Sequence, residues 1–161
     1  MASQATTDSS RPSRIGASDI GLLLLRLAVG IVFVAHGSQK VLGAFDGPGL
    51  PRTVAMFGHM GIPAPLAYLA AFTEFLGGLG LIFGVLSRLS ALGIATVMVV
   101  AILKVHLANG FFMNWAMVPG RGEGYEYHLL VIGMTLALLL CGPGRLAIAD
   151  VEARLLSGKT G

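Results

Sequence analysis

The chain has 161 residues, 55% of them hydrophobic and only 12% charged, against roughly 25% charged in an ordinary soluble domain. Its formal charge of +3 is too small, and its basic residues too scattered, for a nucleic-acid surface, so it reads as loop charge that orients the chain in a bilayer. The single cysteine, Cys141, excludes internal dithiol exchange, which needs a second thiol, and one small integral membrane domain remains.

Residues 1–18 are rich in Ser and Thr, carry Arg11 and Arg14 and have few apolar side chains; a flexible tail is expected. A cleaved signal peptide is the competing reading, but the apolar stretch after Asp19 is longer than a signal core and contains Arg26. The sequence then predicts an all-α, integral membrane four-helix bundle over 19–145, because four stretches approach the ~20 residues needed to cross hydrocarbon. The first, 19–42, has Asp19 as its N-cap and stops at Gly43. The second, 65–86, opens at Pro65, and only a tight turn separates it from the third, 88–108, which ends at Asn109-Gly110. The fourth, 126–141, ends at Gly-Pro-Gly and is nearest the lower length limit. The connections 43–64 and 109–125 are long loops, and 146–161 is a short cytoplasmic tail with room for a short helix.

Seven basic residues (Arg11, Arg14, Arg26, Arg88, Arg145, Arg154, Lys159) fall on the side of the termini and four (Lys40, Arg52, Lys104, Arg121) on the other. That asymmetry predicts a multi-pass protein of the inner, cytoplasmic membrane with both termini inside and both long loops outside. The order Arg-Leu, His and Lys, Gly-x-Phe or Gly-Phe, then Glu occurs in each half of the chain, a weak sign of internal duplication. The 23 glycines suit packed transmembrane helices, whose backbones approach closely at small residues.

A charge at mid-membrane costs ~2.5–3.5 kcal/mol, so each needs a partner or a task. Arg26, Gly30, Phe33, Gly37 and Lys40 share one helix face, and Ala67, Ala70, Ala71, Glu74, Gly77 and Gly78 make a matching small-residue face. Packing them together places Glu74 between Arg26 below and His36 or Lys40 above. His36, His106 and His128 then converge with Glu74 and Glu126 on the outer side. The plainer readings are that Lys40, Lys104, Glu126 and His128 anchor helix ends at the interface, and that Glu74 and Arg26 form a structural salt bridge. No His-x-x-His, His-Glu-x-x-His or Glu-x-x-His spacing fixes a metal, and none is assigned. Proton transfer asks less: a carboxylate out of water beside imidazoles, which titrate near neutrality. A quinone also suits such a site, since its reduction takes up protons and its ring wants hydrogen-bond donors in an apolar groove. Phe111, Phe112, Trp115, Tyr125 and Tyr127 flank this side and read first as an interfacial aromatic belt.

The segments RLAVGIVFVAHGSQKVLG, MGIPAPLAYLAAFTEFLGGLGLIFGVLSRLSALG, HLANGFF and GPGRLAI together resemble the DoxX family of small four-helix membrane proteins, from Arg26 to about Asp150. The resemblance implies a cytoplasmic-membrane protein tied to redox work, with relatives associated with thiosulfate:quinone oxidoreductase and other membrane oxidoreductase complexes. His36, Lys40, Glu74 and His106 match the family's recurring positions; no agreed catalytic roles come with them, and with one cysteine any sulfur chemistry would belong to a partner. The expectation is a quinone-interacting or scaffolding subunit of an oxidoreductase complex. In it Glu74 relays protons, His36 and His106 bind quinone or share its protons, and Lys40 stabilises developing negative charge. His128, Glu126, Phe111 and Trp115 complete the expected quinone site. Besides the lipid bilayer, a protein partner or a second copy is expected, and no nucleic acid. The alternative is a non-enzymatic assembly factor or small transporter whose buried charges only fix helix register.

Overall fold

The computed structural model describes residues 15–148, and the expectations for the two tails beyond those limits lie outside the described residues. Among them the chain is all helical, with α1 at Ala17–Val41, α2 at Gly49–His59, α3 at Ala64–Phe83, α4 at Ser87–Ala101 and α5 at Glu126–Cys141. Helix α1, helix α3 and the helical run Ser87–Asn109 are long and apolar enough to cross a membrane; α5 is apolar but has 16 residues, about 24 Å of helix.

Helix α1 begins two residues before Asp19. The carboxylate sits in the first turn rather than at the cap, accepting the Gly16 N–H at 3.0 Å and the Arg145 N–H at 3.1 Å. A carboxylate reaching back from inside the turn satisfies an otherwise unpaired N–H as well as a cap residue does. The 43–64 connection is not simply a loop, because it contains α2. Leu50, Thr53, Val54 and Phe57 lie at helical spacing, and Pro51 falls in the first turn, where no N–H is needed. At 11 residues, or about 16 Å, α2 is too short to span a bilayer. Fully buried Thr53 fixes it by donating its hydroxyl to the Lys40 carbonyl at 3.3 Å.

Glycines set how closely α1 and α3 approach. A Cβ built on Gly30 would meet the Gly78 carbonyl oxygen at 2.8 Å, one on Gly78 would meet the Val34 nitrogen at 2.7 Å, and one on Gly37 would strike the Phe75 backbone. The two backbones therefore touch over the stretch from Gly30 to Gly37, as in small-residue transmembrane packing. Val29, Phe33, Leu81, Ile94, Met98, Val131 and Leu138 fill the space between α1, α3, α4 and α5.

The end of the bundle at the α1 N-terminus is tied by backbone carbonyls. Fully buried Arg26 donates from Nη2 to the Leu146 carbonyl at 3.0 Å, while its Nε and Nη1 have no hydrogen-bond partner among the described residues. Arg88 Nε donates to the Leu139 carbonyl at 3.2 Å, and the Ile148 N–H to the Phe83 carbonyl at 3.0 Å. The expected pairing of Arg26 with Glu74 is absent, because residues 142–148 fold back under α1 and supply the acceptor themselves. At the opposite end α4 loosens into a π-helical turn, Ile102–His106, and a short 3-10 turn, Leu107–Asn109. The 110–125 segment returns with the Tyr125 N–H on the Gly110 carbonyl at 3.2 Å and the Glu126 N–H on the Phe111 carbonyl at 2.9 Å.

Candidate functional site

Glu74 sits mid-way along α3, with 4% of its side chain exposed, and forms an ion pair with Lys40 of α1. The glycine seam explains the meeting: Gly37 rests on the backbone of Phe75, the residue after Glu74, and Lys40 follows Gly37 by one turn on the same face. Of the partners proposed for Glu74, Lys40 is the one in contact. His36 stands exposed on α1, one turn before Lys40, and no hydrogen bond joins it to Glu74 among the described residues.

A second polar group forms where α4 ends and α5 begins. The His106 and His128 rings lie with centroids 4.0 Å apart and planes tilted by 40°. His106 Nδ1 is 2.8 Å from the Glu123 carbonyl oxygen, which also accepts from Asn109 Nδ2 at 3.0 Å. The π turn that carries His106 is a local irregularity of the sort found at functional positions. Tyr127 packs edge-on against His128, with centroids 5.6 Å apart. Among the described residues the Tyr127 hydroxyl and His128 Nδ1 are buried without a hydrogen-bond partner, an arrangement that is uncommon for polar atoms inside proteins.

These groups share one groove of about 1630 Å3, lined by His36, Lys40, Glu74, Lys104, His106, Tyr127 and His128 and otherwise by mostly apolar residues of α3 and α4, with the hydroxyls of Thr73, Ser90 and Thr96 among them. The remaining expected quinone contacts are elsewhere. Glu126 accepts from Trp115 Nε1 at 2.8 Å and from the Met113 N–H at 3.1 Å, so it clasps the 110–125 segment. Phe111 packs edge-on against Phe112 and Tyr125. Phe111, Trp115 and Glu126 line a separate hollow of about 370 Å3, which shares Met113 and Tyr127 with the groove. Tyr127, assigned to the aromatic belt from sequence, is thus a wall residue of both. Its only sequence signal was adjacency to His128. Among the described residues no group of three or more His, Cys, Asp or Glu side chains is placed to hold a metal ion.

No solved structure matches the chain. It is 34% identical over 120 residues to "Putative oxidoreductase CatD" of Bacillus subtilis (strain 168), covering 74% of this chain and 79% of that protein. It is 30% identical over 132 residues to "Inner membrane protein YqjF" of Escherichia coli (strain K12), covering 81% and 90% respectively. The DoxX family profile matches residues 21–107, the stretch that contains His36, Lys40, Glu74 and His106. With its apolar helices and these relatives, the chain is a membrane protein of the DoxX family.

Proposed function

We propose that this protein is the membrane subunit of an oxidoreductase assembly, binding a quinone in the groove and exchanging protons with it while a partner protein delivers the electrons. The observation that carries the reading is the placement of the Lys40–Glu74 pair and the His106–His128 pair on one apolar groove. The residues fit such a ring: the groove is apolar, and Tyr127 and His128 bring polar atoms without partners to its wall. A bound quinone would supply two-electron, two-proton chemistry. Lys40 would meet negative charge developing on a ring oxygen, His36 and His106 would donate to the ring oxygens, and Glu74 would pass protons while held by Lys40. The names of the two relatives support an oxidoreductase of the inner membrane. Helix α5 would complete four spans, with both termini cytoplasmic by the distribution of basic residues.

The test is to extract the protein in mild detergent, measure the quinone that accompanies it, and compare Glu74→Gln with the parent for quinone reduction in the presence of the copurifying partner. Bound quinone with lost turnover supports the reading; unchanged turnover removes the proton role of Glu74. A second reading has its own observation, the backbone contact at Gly37 beside the Lys40–Glu74 pair, which suits a pair that only locks the register of α1 on α3. A non-enzymatic assembly factor or small transporter of that kind would carry no quinone, and Glu74→Gln would reduce partner recovery rather than turnover.

A further inference from the structure

The part of the groove that the polar groups do not use has a shape of its own. Helices α3 and α4 meet at small residues: a Cβ on Gly80 would lie 2.5 Å from Ser90 Oγ, and one on Gly93 would lie 2.7 Å from Thr73 Cγ2. Large side chains stand on both sides of that seam, Leu69 and Leu76 from α3 and Leu89 and Leu92 from α4, each at least half exposed. Small residues along a seam and large ones beside it leave a furrow. Beyond Glu74 its lining on α3 extends to Phe83, nine residue steps by the numbering, or about 14 Å at 1.5 Å per residue. That is close to half of the ~30 Å hydrocarbon core.

A small soluble substrate does not need this space. Sites for drug-sized molecules occupy about 300–1,000 Å3, and the groove is about 1630 Å3. Its titratable groups lie in the half between the end of α4 and Glu74, and beyond Glu74 toward Phe83 the lining is apolar but for Ser90, so its chemistry is that of an amphiphile with a polar head and an apolar tail. Resting on the quinone reading above, we infer that the furrow between α3 and α4 is the seat of an isoprenoid tail. The quinone head lies at the Lys40, His106 and Tyr127 end, and the tail runs along the seam toward Phe83. Tail length is then a determinant of binding, and quinones with little or no tail are poor ligands.

The experiment uses the full chain in one detergent, with quinones that share a benzoquinone head and carry no, one, two or four isoprene units. Occupancy is read by native mass spectrometry and corrected for the partition of each compound into empty micelles. Leu76→Trp and Leu89→Trp narrow the furrow from opposite walls, on the Phe83 side of Glu74. The parent is expected to bind the four-unit compound at least about tenfold more tightly than the tail-free head, equivalent to about 1.4 kcal/mol. Either variant should abolish that difference while leaving tail-free binding unchanged. Equal binding at all tail lengths, tail preference surviving both variants, or displacement of the long-tailed compound by phospholipid at equal concentration would overturn the tail seat and leave the quinone reading standing. Loss of the tail-free head in both variants would overturn it too, since head and furrow would not then be separate. Binding of no quinone at any length would overturn the quinone reading itself.

Discussion

Removing Lys40 should cost this protein more stability than neutralising Glu74. Opposite charges 4 Å apart attract by about 4 kcal/mol at an effective dielectric of 20, and removing one member of a buried pair strands the other at a cost of about 3–5 kcal/mol. The two survivors are not equivalent. The Glu74 side chain is 4% exposed and the Lys40 side chain 23% exposed. In Lys40→Met an almost fully buried carboxylate is left without its counter-charge, and a loss of about 3 kcal/mol is expected. In Glu74→Gln the flexible lysine swings outward to the interface, the amide has no charge to compensate, and the expected loss is about 1 kcal/mol. The double variant Lys40→Met with Glu74→Leu replaces the pair by apolar side chains and should recover at least about 1 kcal/mol relative to Lys40→Met alone. Reversible unfolding in mixed micelles with increasing SDS fraction, followed by helical circular dichroism, measures all four proteins. A Glu74→Gln loss equal to or larger than that of Lys40→Met, or a double variant no more stable than Lys40→Met, would refute the account of a buried carboxylate held by a partly solvated lysine.

Further outcomes follow from other contacts. Gly78→Leu places a side chain where even a Cβ would lie 2.7 Å from the Val34 nitrogen and 2.9 Å from the Gly30 carbonyl oxygen; a loss of about 1–3 kcal/mol or more is expected in the same titration, whereas Gly133→Leu, with nothing within 4 Å, should change it by less than about 0.5 kcal/mol. Arg26→Met removes a buried guanidinium whose single described hydrogen bond is to a carbonyl, so stability should fall by less than about 1 kcal/mol or rise, while proteolysis near residue 146 accelerates as the tie to Leu146 is lost. With Cys141 changed to Ser, a cysteine at position 121 should react with a membrane-impermeant maleimide in intact cells and one at position 15 only after lysis; the reverse pattern would invert the proposed orientation.

The helices were legible in the sequence wherever apolar length and punctuation agreed. The helix expected at 126–141 is Glu126–Cys141, and the one expected to open at Pro65 opens at Ala64 with Pro63 as its cap. Helix α2 was overlooked, although Leu50, Thr53, Val54 and Phe57 carry the helical period, because three prolines and five glycines between 43 and 63 read first as turn residues. Within the site, Lys40 and Glu74 were legible because shared small-residue faces dictate which helices touch. The His106–His128 contact was legible only as convergence on one side of the membrane. Its geometry depends on the π turn at Ile102–His106, an irregularity that no period or cap residue announces. Glu126 and Trp115 were placed with the quinone site because they begin α5 or precede it. The structure joins them to each other in the hollow that adjoins the groove, because Glu126 and His128, two apart on a helix, point in different directions.

The two ends of the bundle handle charge in different ways, and the difference bears on where protons can move. At the α1 N-terminal end, Arg26 and Arg88 donate to the carbonyls of Leu146 and Leu139. Guanidinium groups keep their protons at any relevant pH and carbonyls cannot accept one, so these bonds act as mechanical ties. At the other end the partners are side chains that can exchange protons: Lys40 with Glu74, and His106 with His128 beside Tyr127. Asp19, the carboxylate at the α1 N-terminal end, does not line the groove, so proton exchange with a ligand in the groove is expected at its His106 end, which the proposed orientation turns to the exterior. If so, turnover reconstituted in vesicles should acidify or alkalinise the compartment facing His106 before the other. Glu74→Gln should abolish that first pH change, and Arg26→Met should leave it intact; a first pH change on the Arg26 side would place the proton chemistry at the wrong end of the molecule.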